Sequence, residues 1–405
     1  MDELRPLQGI RVVDFSWVLA GPLGTRLLAS FGAEVIRIEP PLDATGDFRP
    51  RGVKDPNTGA FRNLVDVGKR SLSVDPRSPA GREVLHRLIA ISDVVADNFR
   101  PGVLERMGFG YARLRELNPG IVQLHLPGCA PDGPWGERGT FGNMILGASG
   151  LSWISRFPDR PPRGPGVAYA DFTSPYLLAS AVIAALRARE RTGSGQEIWL
   201  DQLSPTVSLL GVEWMQHTSG PTAPPVRRNR DPNYCPHGVY PTRGEDEWCA
   251  LAVDGDREWS ALCRLLGRPE LASDARFATH AARKANEDAV DEIVSDWTRL
   301  HDRWELADRL QAQGIAAAAV ADLRDTLERD PQLRDHYAHL RQPSHPEVDI
   351  LSVGEAIRVC GVERTLERAP ERGEHNDYVL RELLGLTQRE IDDLAAAGAL
   401  SVPDR

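Results

Sequence analysis

From residue 10 to about residue 127, short apolar runs alternate with amphipathic helical patterns. Runs rich in valine and isoleucine occur at 10–15, 34–38, 71–74, 93–96 and 121–126, and helical spacing of apolar residues occurs at 22–31 and 79–89. Strands of this composition that alternate with helices are typical of a parallel sheet covered on both faces, with right-handed crossovers. The pattern predicts a doubly wound, Rossmann-like α/β domain.

A different pattern follows a proline- and arginine-rich stretch at about 220–236. Alternating apolar positions at 238–242 and 247–253 predict a β-hairpin, and helical patterns follow at 256–266, 287–300 and 303–313. The rest of the chain holds an apolar run at 357–362 and a final helical pattern at 387–397, too little to fold alone. We therefore predict a large α/β domain at 1–220, a smaller α+β domain at 221–325, and a C-terminal segment at 326–405 that returns to the large domain.

The charge and cysteine content restrict the partners and the cell compartment that we expect for the protein. The sequence has 48 basic and 58 acidic residues, a net charge of −10, and five cysteines with no CxxC pair. Nucleic-acid and anionic-membrane binding both need a dense positive field, so neither partner is expected. No apolar run of about 20 residues is evident in the sequence, and the N-terminus has no basic region followed by an apolar core. These observations predict a cytoplasmic protein with reduced thiols.

Several kinds of catalytic apparatus have no counterpart in the sequence. There is no GxSxG, HExxH or P-loop motif, and the segment after the first predicted strand, SWVLAGP at 16–22, lacks the GxGxxG spacing of dinucleotide-binding folds. The histidines are dispersed, and the one close pair, His336 and His339, lies on a polar, arginine-rich stretch. We therefore expect no metal site and no tightly bound cofactor.

The segment ADFTSP at 170–175 carries the main candidate for chemistry. Ser174 is a natural N-cap and Pro175 a natural first helical residue, which predicts that a helix begins there. Asp171 would then lie just before the helix, free of a capping role. A solvated loop aspartate is the structural alternative.

A second candidate is the segment NFRPG at 98–102, which follows a predicted strand and opens a helix. Backbone N–H groups and a cation at such a point can hold an anionic or nucleotide-like ligand, and Arg106 lies about one turn further on. The alternative is an asparagine cap beside surface arginines.

The chain also carries a series of short segments in a fixed order. They are LQGIRVVDF at 7–15, AGP at 20–22, GAEVIRIEP at 32–40, GKRS at 68–71, NFRPG at 98–102, LNP at 117–119, TGSGQ at 192–196, PHGVYP at 236–241, LLGRP at 265–269, DPQL at 330–333 and GEH at 373–375. Together with Asp171, this series resembles the class III CoA-transferases, a family that includes formyl-CoA transferase and L-carnitine CoA-transferase. The likeness covers nearly the whole chain.

The resemblance implies an enzyme that transfers CoA from an acyl-CoA thioester to a small carboxylic acid. Its nucleophile would be Asp171, acting through an aspartyl anhydride and an aspartyl-CoA thioester, with CoA and acyl-CoA as substrates. The positions implied to contact CoA are Leu19, Ala20, Arg77, Asn98, Phe99, Arg100 and Arg106. The family also implies a homodimer of interlocked chains.

Two alternatives stay open beside CoA transfer. One is an isomerase like the α-methylacyl-CoA racemases, which carry a His-Asp pair where this chain has Thr140 and Phe141. Moving a proton off and back onto an α-carbon needs two acid–base groups, and neither side chain titrates near neutral pH, which weakens that reading. The other is a CoA-binding homologue that has lost its chemistry.

Overall fold

The computed structural model describes residues 5–40, 56–220, 229–354, 356–357 and 367–400. The chain divides into two compact units. One contains Met1–Ile154, Arg163–Thr222 and Asp335–Arg405, and the other contains Ser155–Pro162 and Ala223–Arg334. The last part of the chain therefore packs with the N-terminal part.

A six-stranded parallel sheet forms the centre of the first unit. Its strands are β1 (Arg11–Asp14), β2 (Glu34–Glu39), β3 (Arg70–Ser73), β4 (Val94–Asp97), β5 (Val122–His125) and β6 (Glu197–Trp199). They lie in the order β3-β2-β1-β4-β5-β6, and every neighbouring pair is parallel. The predicted doubly wound α/β class is confirmed. Strand β6 was not predicted, because three residues are too few to produce a recognisable pattern.

This unit has helices on both faces of the sheet and further helices outside its core. They are α1 (Ala20–Ser30), α2 (Ala60–Val65), α3 (Pro79–Ala90), α4 (Val103–Arg106), α5 (Tyr111–Leu117), α6 (Gly142–Ser149), α7 (Leu151–Ile154), α8 (Tyr169–Thr192), α9 (Leu203–Ser208) and α10 (Gly211–Ser219). Successive strand residues point to opposite faces, so Val12 packs in a cluster with Leu28 and Val182, whereas Val13 packs in a second cluster with Leu88.

Helix α8 begins at Tyr169, so the predicted start at Ser174 and Pro175 is wrong. Pro175 lies inside the helix, and Ser174 is buried with no hydrogen-bond partner for its hydroxyl among the described residues. The capping pattern failed because it is local, whereas this first turn is held by contacts from distant parts of the chain. Asp171 consequently lies in the first turn of α8.

The same helix bears on the expectation that no segment could span a membrane. By length and composition α8 is apolar enough to do so, and 44% of its apolar window is buried inside the protein. One face of α8 packs against α1 through Leu178 and Val182, next to Leu27 and Leu28. Core helices pass the same composition test, so this feature is weak evidence for a membrane span.

The second unit has its own small sheet and core. Strands β7 (His237–Pro241), β8 (Trp248–Ala252) and β9 (Ala316–Ala319) form an antiparallel sheet in the order β7-β8-β9. The helices are α11 (Asp256–Leu265), α12 (His280–Ala285), α13 (Glu287–Thr298), α14 (Arg303–Gln311) and α15 (Leu323–Glu328), with a short 3₁₀ turn at Pro269–Ala272. Trp259 and Phe277 lie at the centre of its apolar cluster. The hairpin and the three helices predicted here are present.

The C-terminal segment contains a hairpin and two helical elements. The hairpin consists of β10 (Tyr337–Gln342) and β11 (His345–Val353), followed by a π-helical stretch at Tyr378–Leu383 and by α16 (Gln388–Ala396), which Thr387 caps. Leu394 joins the apolar cluster that contains Val13, and Leu400 pairs with Val74 beyond the edge strand β3. Most of the apolar run predicted at 357–362 lies outside the described residues.

Candidate active site

The carboxylate of Asp171 is half-buried and receives two hydrogen bonds. Nε2 of Gln202 donates to Oδ1 at 2.8 Å, and the backbone N–H of Gly142 donates to the same carboxylate. Gln202 is itself buried and follows β6, where its backbone N–H donates to the carbonyl of Pro127 at 3.0 Å. The carboxylate is therefore positioned by three separate parts of the chain.

Gly142 is the first residue of α6, and it lies against the carboxylate because it has no side chain. A Cβ atom at this position would lie 2.4 Å from Oδ2 of Asp171 and 2.6 Å from Cβ of Ala168. The N-terminus of α6 thus points at Asp171, which also lies in the first turn of α8. Two helix N-termini meet at one carboxylate, and their positive ends favour its charged form.

Burial and hydrogen bonding act in opposite directions on this group. Burial raises the pKa of Asp171, and the hydrogen bonds from Gln202 and Gly142 lower it, with burial the larger effect. The result is a carboxylate that has lost part of its hydration and keeps two N–H donors. Such a group is a better nucleophile than a fully solvated carboxylate, because less water must leave before it attacks.

A second cluster lies where β1 and β4 end. Oδ1 of Asn98 accepts a hydrogen bond from the backbone N–H of Trp17 at 2.8 Å, and Nδ2 of Asn98 donates to the carbonyl of Trp17 at 2.9 Å. A Cβ atom on Gly21 would lie 3.0 Å from Cγ of Asn98. The strand order reverses between β1 and β4, which is where doubly wound sheets bind their ligands. Because the resemblance implies CoA contacts at residues 98–100, we call residues 98–102 the CoA turn.

The predicted CoA-contacting residues lie in different surroundings. The side chains of Leu19 and Ala20 are buried at the start of α1, so they present backbone rather than side chain to a ligand. Phe99 packs on the apolar core with its ring 6.3 Å from that of Trp17, and together with Asn98 it lies at this reversal point.

The three predicted arginines are placed differently. Arg100 is exposed, with Cδ 3.7 Å from where a Cβ of Gly139 would lie. The guanidinium of Arg106 lies over the CoA turn, since its Nη1 is 2.8 Å from where a Cβ of Gly102 would be. Arg77 follows the edge strand β3, and its Nε donates to Asp75 at 2.9 Å. Arg106 is thus associated with the CoA turn, whereas Arg77 lies beyond the edge strand.

The loop that carries Leu19 and Ala20 rests on a buried ionic network that the sequence analysis missed. Nζ of Lys69 donates to Asp14 at 3.0 Å, to Asp66 at 3.2 Å and to the carbonyl of Pro22 at 2.9 Å. Asp14 also accepts from Thr25 at 2.6 Å. The segment GKRS at 68–71 belonged to the ordered series, but nothing local indicated that Lys69 would be buried. Gln202 and Gly142 were also missed, and neither lies in a distinctive motif.

Comparison with known proteins identifies the class of protein as a CoA-transferase. The sequence model of the family described as CoA-transferase family III matches residues 7–376, and the chain belongs to that family. It is therefore an enzyme that transfers CoA, and CoA thioesters are the substrates of this class.

The alignments with named relatives cover nearly the whole chain. The protein named succinyl-CoA–D-citramalate CoA-transferase from Chloroflexus aurantiacus is 31% identical over 407 residues, which cover 98% of each chain. The protein named succinate–glutarate CoA-transferase from Agrobacterium fabrum is 32% identical over 387 residues, or 93% of this chain and 96% of its own. Among solved structures, a CAIB/BAIF family protein from Brucella suis matches with a TM-score of 0.83 and 32% identity, over 93% of this chain and 99% of its own.

Proposed function

We propose that Asp171 is the nucleophile through which the enzyme moves CoA from an acyl-CoA thioester to a free carboxylic acid. The observation that carries this proposal is the half-buried carboxylate held between the amide of Gln202 and the N–H of Gly142. A carboxylate placed this way attacks a thioester without a general base, because it is already ionised when it reacts.

The donor half-reaction has two steps. One oxygen of Asp171 attacks the carbonyl carbon of the acyl-CoA, and the tetrahedral oxyanion collapses to a mixed anhydride with loss of the CoA thiolate. The thiolate then attacks the aspartyl carbonyl carbon of that anhydride. The donor carboxylate leaves, and an aspartyl-CoA thioester remains.

The acceptor half-reaction reverses these steps. The incoming carboxylate attacks the aspartyl thioester and releases the thiolate, which leaves an anhydride between Asp171 and the acceptor. The thiolate attacks the acceptor carbonyl and restores the free carboxylate of Asp171. One thioester is made for each one broken, so the cycle needs no nucleotide hydrolysis.

The two N–H donors would stabilise negative charge in each step at the aspartyl carbonyl. When one oxygen of Asp171 is acylated, the other keeps a donor, either Nε2 of Gln202 or the N–H of Gly142. Negative charge builds on that oxygen when the thiolate or the acceptor attacks. Removing one preorganised donor of this kind costs about 10²-fold or more in kcat.

The decisive experiment follows the covalent intermediate. The full chain is incubated with succinyl-CoA, and intact-mass spectrometry with peptide mapping locates the adduct, which hydroxylamine should remove. Asp171→Asn should form no adduct and lose about 10⁴-fold or more in turnover. Glu190→Gln, at the far end of α8 where Glu190 pairs with Arg187, is the matched control and should form the adduct normally. Full transfer activity in Asp171→Asn would refute the proposal.

The same preparation separates CoA transfer from racemisation. A 2-methylacyl-CoA is incubated in D₂O with and without a free acid. Transfer gives a new acyl-CoA only when the acid is present and leaves the α-hydrogen in place. Deuterium entering the α-carbon without any acid would instead indicate the isomerase.

For the acid, we propose a small dicarboxylate with succinyl-CoA as donor. The support is that both relatives described above carry dicarboxylic acids in their names. A panel of mono- and dicarboxylic acceptors of increasing length, assayed with succinyl-CoA, tests this. A clear preference for monocarboxylates would contradict it.

We also propose that the enzyme is a homodimer. Helix α10 has no buried residue, and Val212, Trp214 and Met215 are 50 to 68% exposed. Helix α8 leaves Tyr176 and Ile183 exposed as well, and a second copy of the chain would cover these apolar surfaces. Analytical ultracentrifugation should give a dimer. Met215→Glu should weaken it, whereas Leu323→Glu, which changes an exposed leucine in the other unit, should not.

We also propose that the enzyme is cytoplasmic and has no nucleic-acid or membrane partner. Cys129, Cys235, Cys249 and Cys263 are buried and free, which suits a reducing cytoplasm. The net charge of −10 does not suit nucleic acid or an anionic membrane as partner. Cell fractionation with an antibody against the native protein tests the location.

A further inference from the structure

Beside the CoA turn, four side chains with possible ligand atoms come together from four elements. They are Asp97 at the end of β4, Glu105 in α4, His125 at the end of β5 and Glu197 in β6. The nitrogen and oxygen atoms that Glu105, His125 and Glu197 offer all lie within 4.8 Å of one another. The proposed CoA-transfer chemistry uses none of these three residues.

The imidazole of His125 is fixed in place and only 2% exposed. Its Nδ1 lies 2.6 Å from Oδ2 of Asp97, and its ring stacks on Trp199 with the centroids 4.1 Å apart. Its Nε2 has no hydrogen-bond partner among the described residues, and Oε1 of Glu197 lies 3.5 Å from it. One buried nitrogen without a hydrogen bond thus faces a pair of carboxylates.

The hydrogen bond to Asp97 decides which nitrogen is available. An ionised carboxylate only accepts, so Nδ1 carries the proton and donates it to Asp97. In the neutral ring Nε2 then has a lone pair that faces the carboxylates of Glu105 and Glu197. A lone pair and two anions repel one another unless a cation lies between them. A histidine oriented by a carboxylate on its other nitrogen is the usual arrangement at metal centres.

The charges around His125 also favour a bound cation. The carboxylates of Asp97, Glu105 and Glu197 all lie close to the His125 ring. Three carboxylates around one imidazole leave a net negative charge even when the ring is protonated. A dication compensates that charge better than a single proton does.

We propose that Glu105, His125 and Glu197 bind a divalent transition-metal ion, with Asp97 as the positioning residue that orients His125. One imidazole and two carboxylates form a ligand set that suits Zn²⁺ or Mn²⁺, with water in the remaining positions. The site is open on one side, because Glu105 and Glu197 are exposed.

A metal ion bound at this site would affect the CoA turn through Asp97. Oδ1 of Asp97 accepts a hydrogen bond from the backbone N–H of Phe99 at 3.0 Å, while its Oδ2 holds His125. An ion on Nε2 strengthens the bond between Nδ1–H and Asp97, and so fixes the carboxylate that supports the turn. The metal therefore has a structural role next to the substrate, outside the reacting atoms.

The test measures metal binding directly and does not depend on activity. Tag-free, full-length enzyme is treated with EDTA and titrated with Zn²⁺ by calorimetry, and its melting temperature is recorded with and without Zn²⁺. We expect one Zn²⁺ per chain and a higher melting temperature. Replacing Zn²⁺ by Co²⁺ should give visible absorption bands that report nitrogen and oxygen ligands.

Exposed ligands are changed rather than buried His125, whose loss would disturb folding. The double variant Glu105→Gln/Glu197→Gln should lose Zn²⁺ binding and keep the melting temperature of the metal-free enzyme. Asp97→Asn should weaken Zn²⁺ binding by about 10- to 100-fold. The matched control Glu116→Gln/Glu190→Gln removes two other exposed carboxylates and should bind normally.

Two results would overturn the proposal. One is the absence of saturable Zn²⁺ binding to the EDTA-treated enzyme, which would mean that a proton is the cation between the carboxylates. The other is equal binding by the two double variants. Either result leaves the proposed role of Asp171 untouched, because the adduct experiment measures that role separately.

Discussion

Gly142 lies so close to Asp171 that no side chain fits between them, since a Cβ atom at position 142 would be 2.4 Å from Oδ2. Gly142→Ala must therefore push the carboxylate away from the N-terminus of α6 or displace the helix. We expect kcat to fall by about 10²-fold, the loss typical of a displaced catalytic group, with a smaller change in KM for acyl-CoA. Steady-state kinetics with varied acyl-CoA measure both values.

Gly147 provides the matched control for that experiment. It lies in the same helix, and a Cβ there would meet nothing within 4 Å. Gly147→Ala should keep full activity and stabilise the helix by about 0.5–1 kcal/mol. A similar loss of activity in both variants would show that α6 as a whole is sensitive, and would contradict a specific role for position 142.

The hydrogen bond from Gln202 predicts a pH effect with a definite sign. This bond lowers the pKa of Asp171 and opposes the effect of burial, so its loss raises the pKa further. In the proposed mechanism the ionised carboxylate is the reactive form. The acidic limb of the kcat/KM profile should therefore move to higher pH in Gln202→Ala.

Gln202→Glu provides an internal comparison for the same profile. It removes the donor and adds a negative charge beside Asp171, so its acidic limb should move further than that of Gln202→Ala. An unchanged acidic limb in both variants would mean that a group other than Asp171 sets the profile.

The strands could be predicted from sequence where burial on both faces leaves a continuous apolar run. Strands β1, β2 and β4 contain such runs, with Val12 and Val13 packed on opposite faces of the sheet, whereas β3 and β5 interleave apolar and polar residues. Strand β6 and the hairpin of β10 and β11 do not contain such runs, because the former has three residues and the latter has few buried residues. Their places in the fold depend on the elements they contact.

The candidate site was predictable only in part, for a related reason. Asp171 and Asn98 stand out in the sequence, but their partners do not. Gln202 is 31 positions from Asp171 in the sequence, and Trp17 is 81 positions from Asn98. The N-terminus of α8 was misplaced because Ser174 and Pro175 form a convincing local start signal that long-range contacts override. Local patterns carry no information about such pairings.

The two hydrogen bonds between Asn98 and Trp17 predict a binding effect at the CoA turn. Asn98→Ala removes both bonds, each worth about 1 kcal/mol, and frees the loop that carries Leu19 and Ala20. KM for acyl-CoA should rise by about 10-fold or more, with a smaller change in kcat. Initial rates at saturating acceptor acid separate the two.

Asn118 makes a comparable pair of backbone contacts at the opposite edge of the sheet, where strands β4 and β5 begin. Its Nδ2 donates to the carbonyl of Ser92 at 2.7 Å, and its Oδ1 accepts from the N–H of Gly120 at 2.9 Å. Asn118→Ala should lose similar stability but keep the KM of the wild type. Equal increases in KM would point to general loosening of the sheet instead of a role in CoA binding.

The buried pair of Lys69 and Asp14 predicts a stability effect that depends on pH. Burial would raise the pKa of Asp14, but the charges of Lys69 and Arg37 and hydrogen bonds from Ser16 and Thr25 outweigh it, so the pKa lies below its ordinary value. A lowered pKa in the folded state contributes stability above the unfolded pKa of about 3.9, and this contribution is lost as the pH falls through the folded value. Lys69→Met leaves Asp14 charged and without its main partner, at a cost of about 3–5 kcal/mol near neutral pH.

This cost should shrink in acid. Without Lys69 the pKa of Asp14 rises, so Asp14 takes up a proton in the folded variant at a pH where the wild type still has a carboxylate. Urea unfolding at about pH 7 and about pH 5 should show a smaller difference between variant and wild type at the lower pH. Asp14→Asn/Lys69→Met should recover part of the loss, and Arg187→Met, which breaks an exposed pair with Glu190, should cost at most about 1 kcal/mol. A deficit that is equal at both pH values would mean that Lys69 stabilises the loop by packing rather than by its charge.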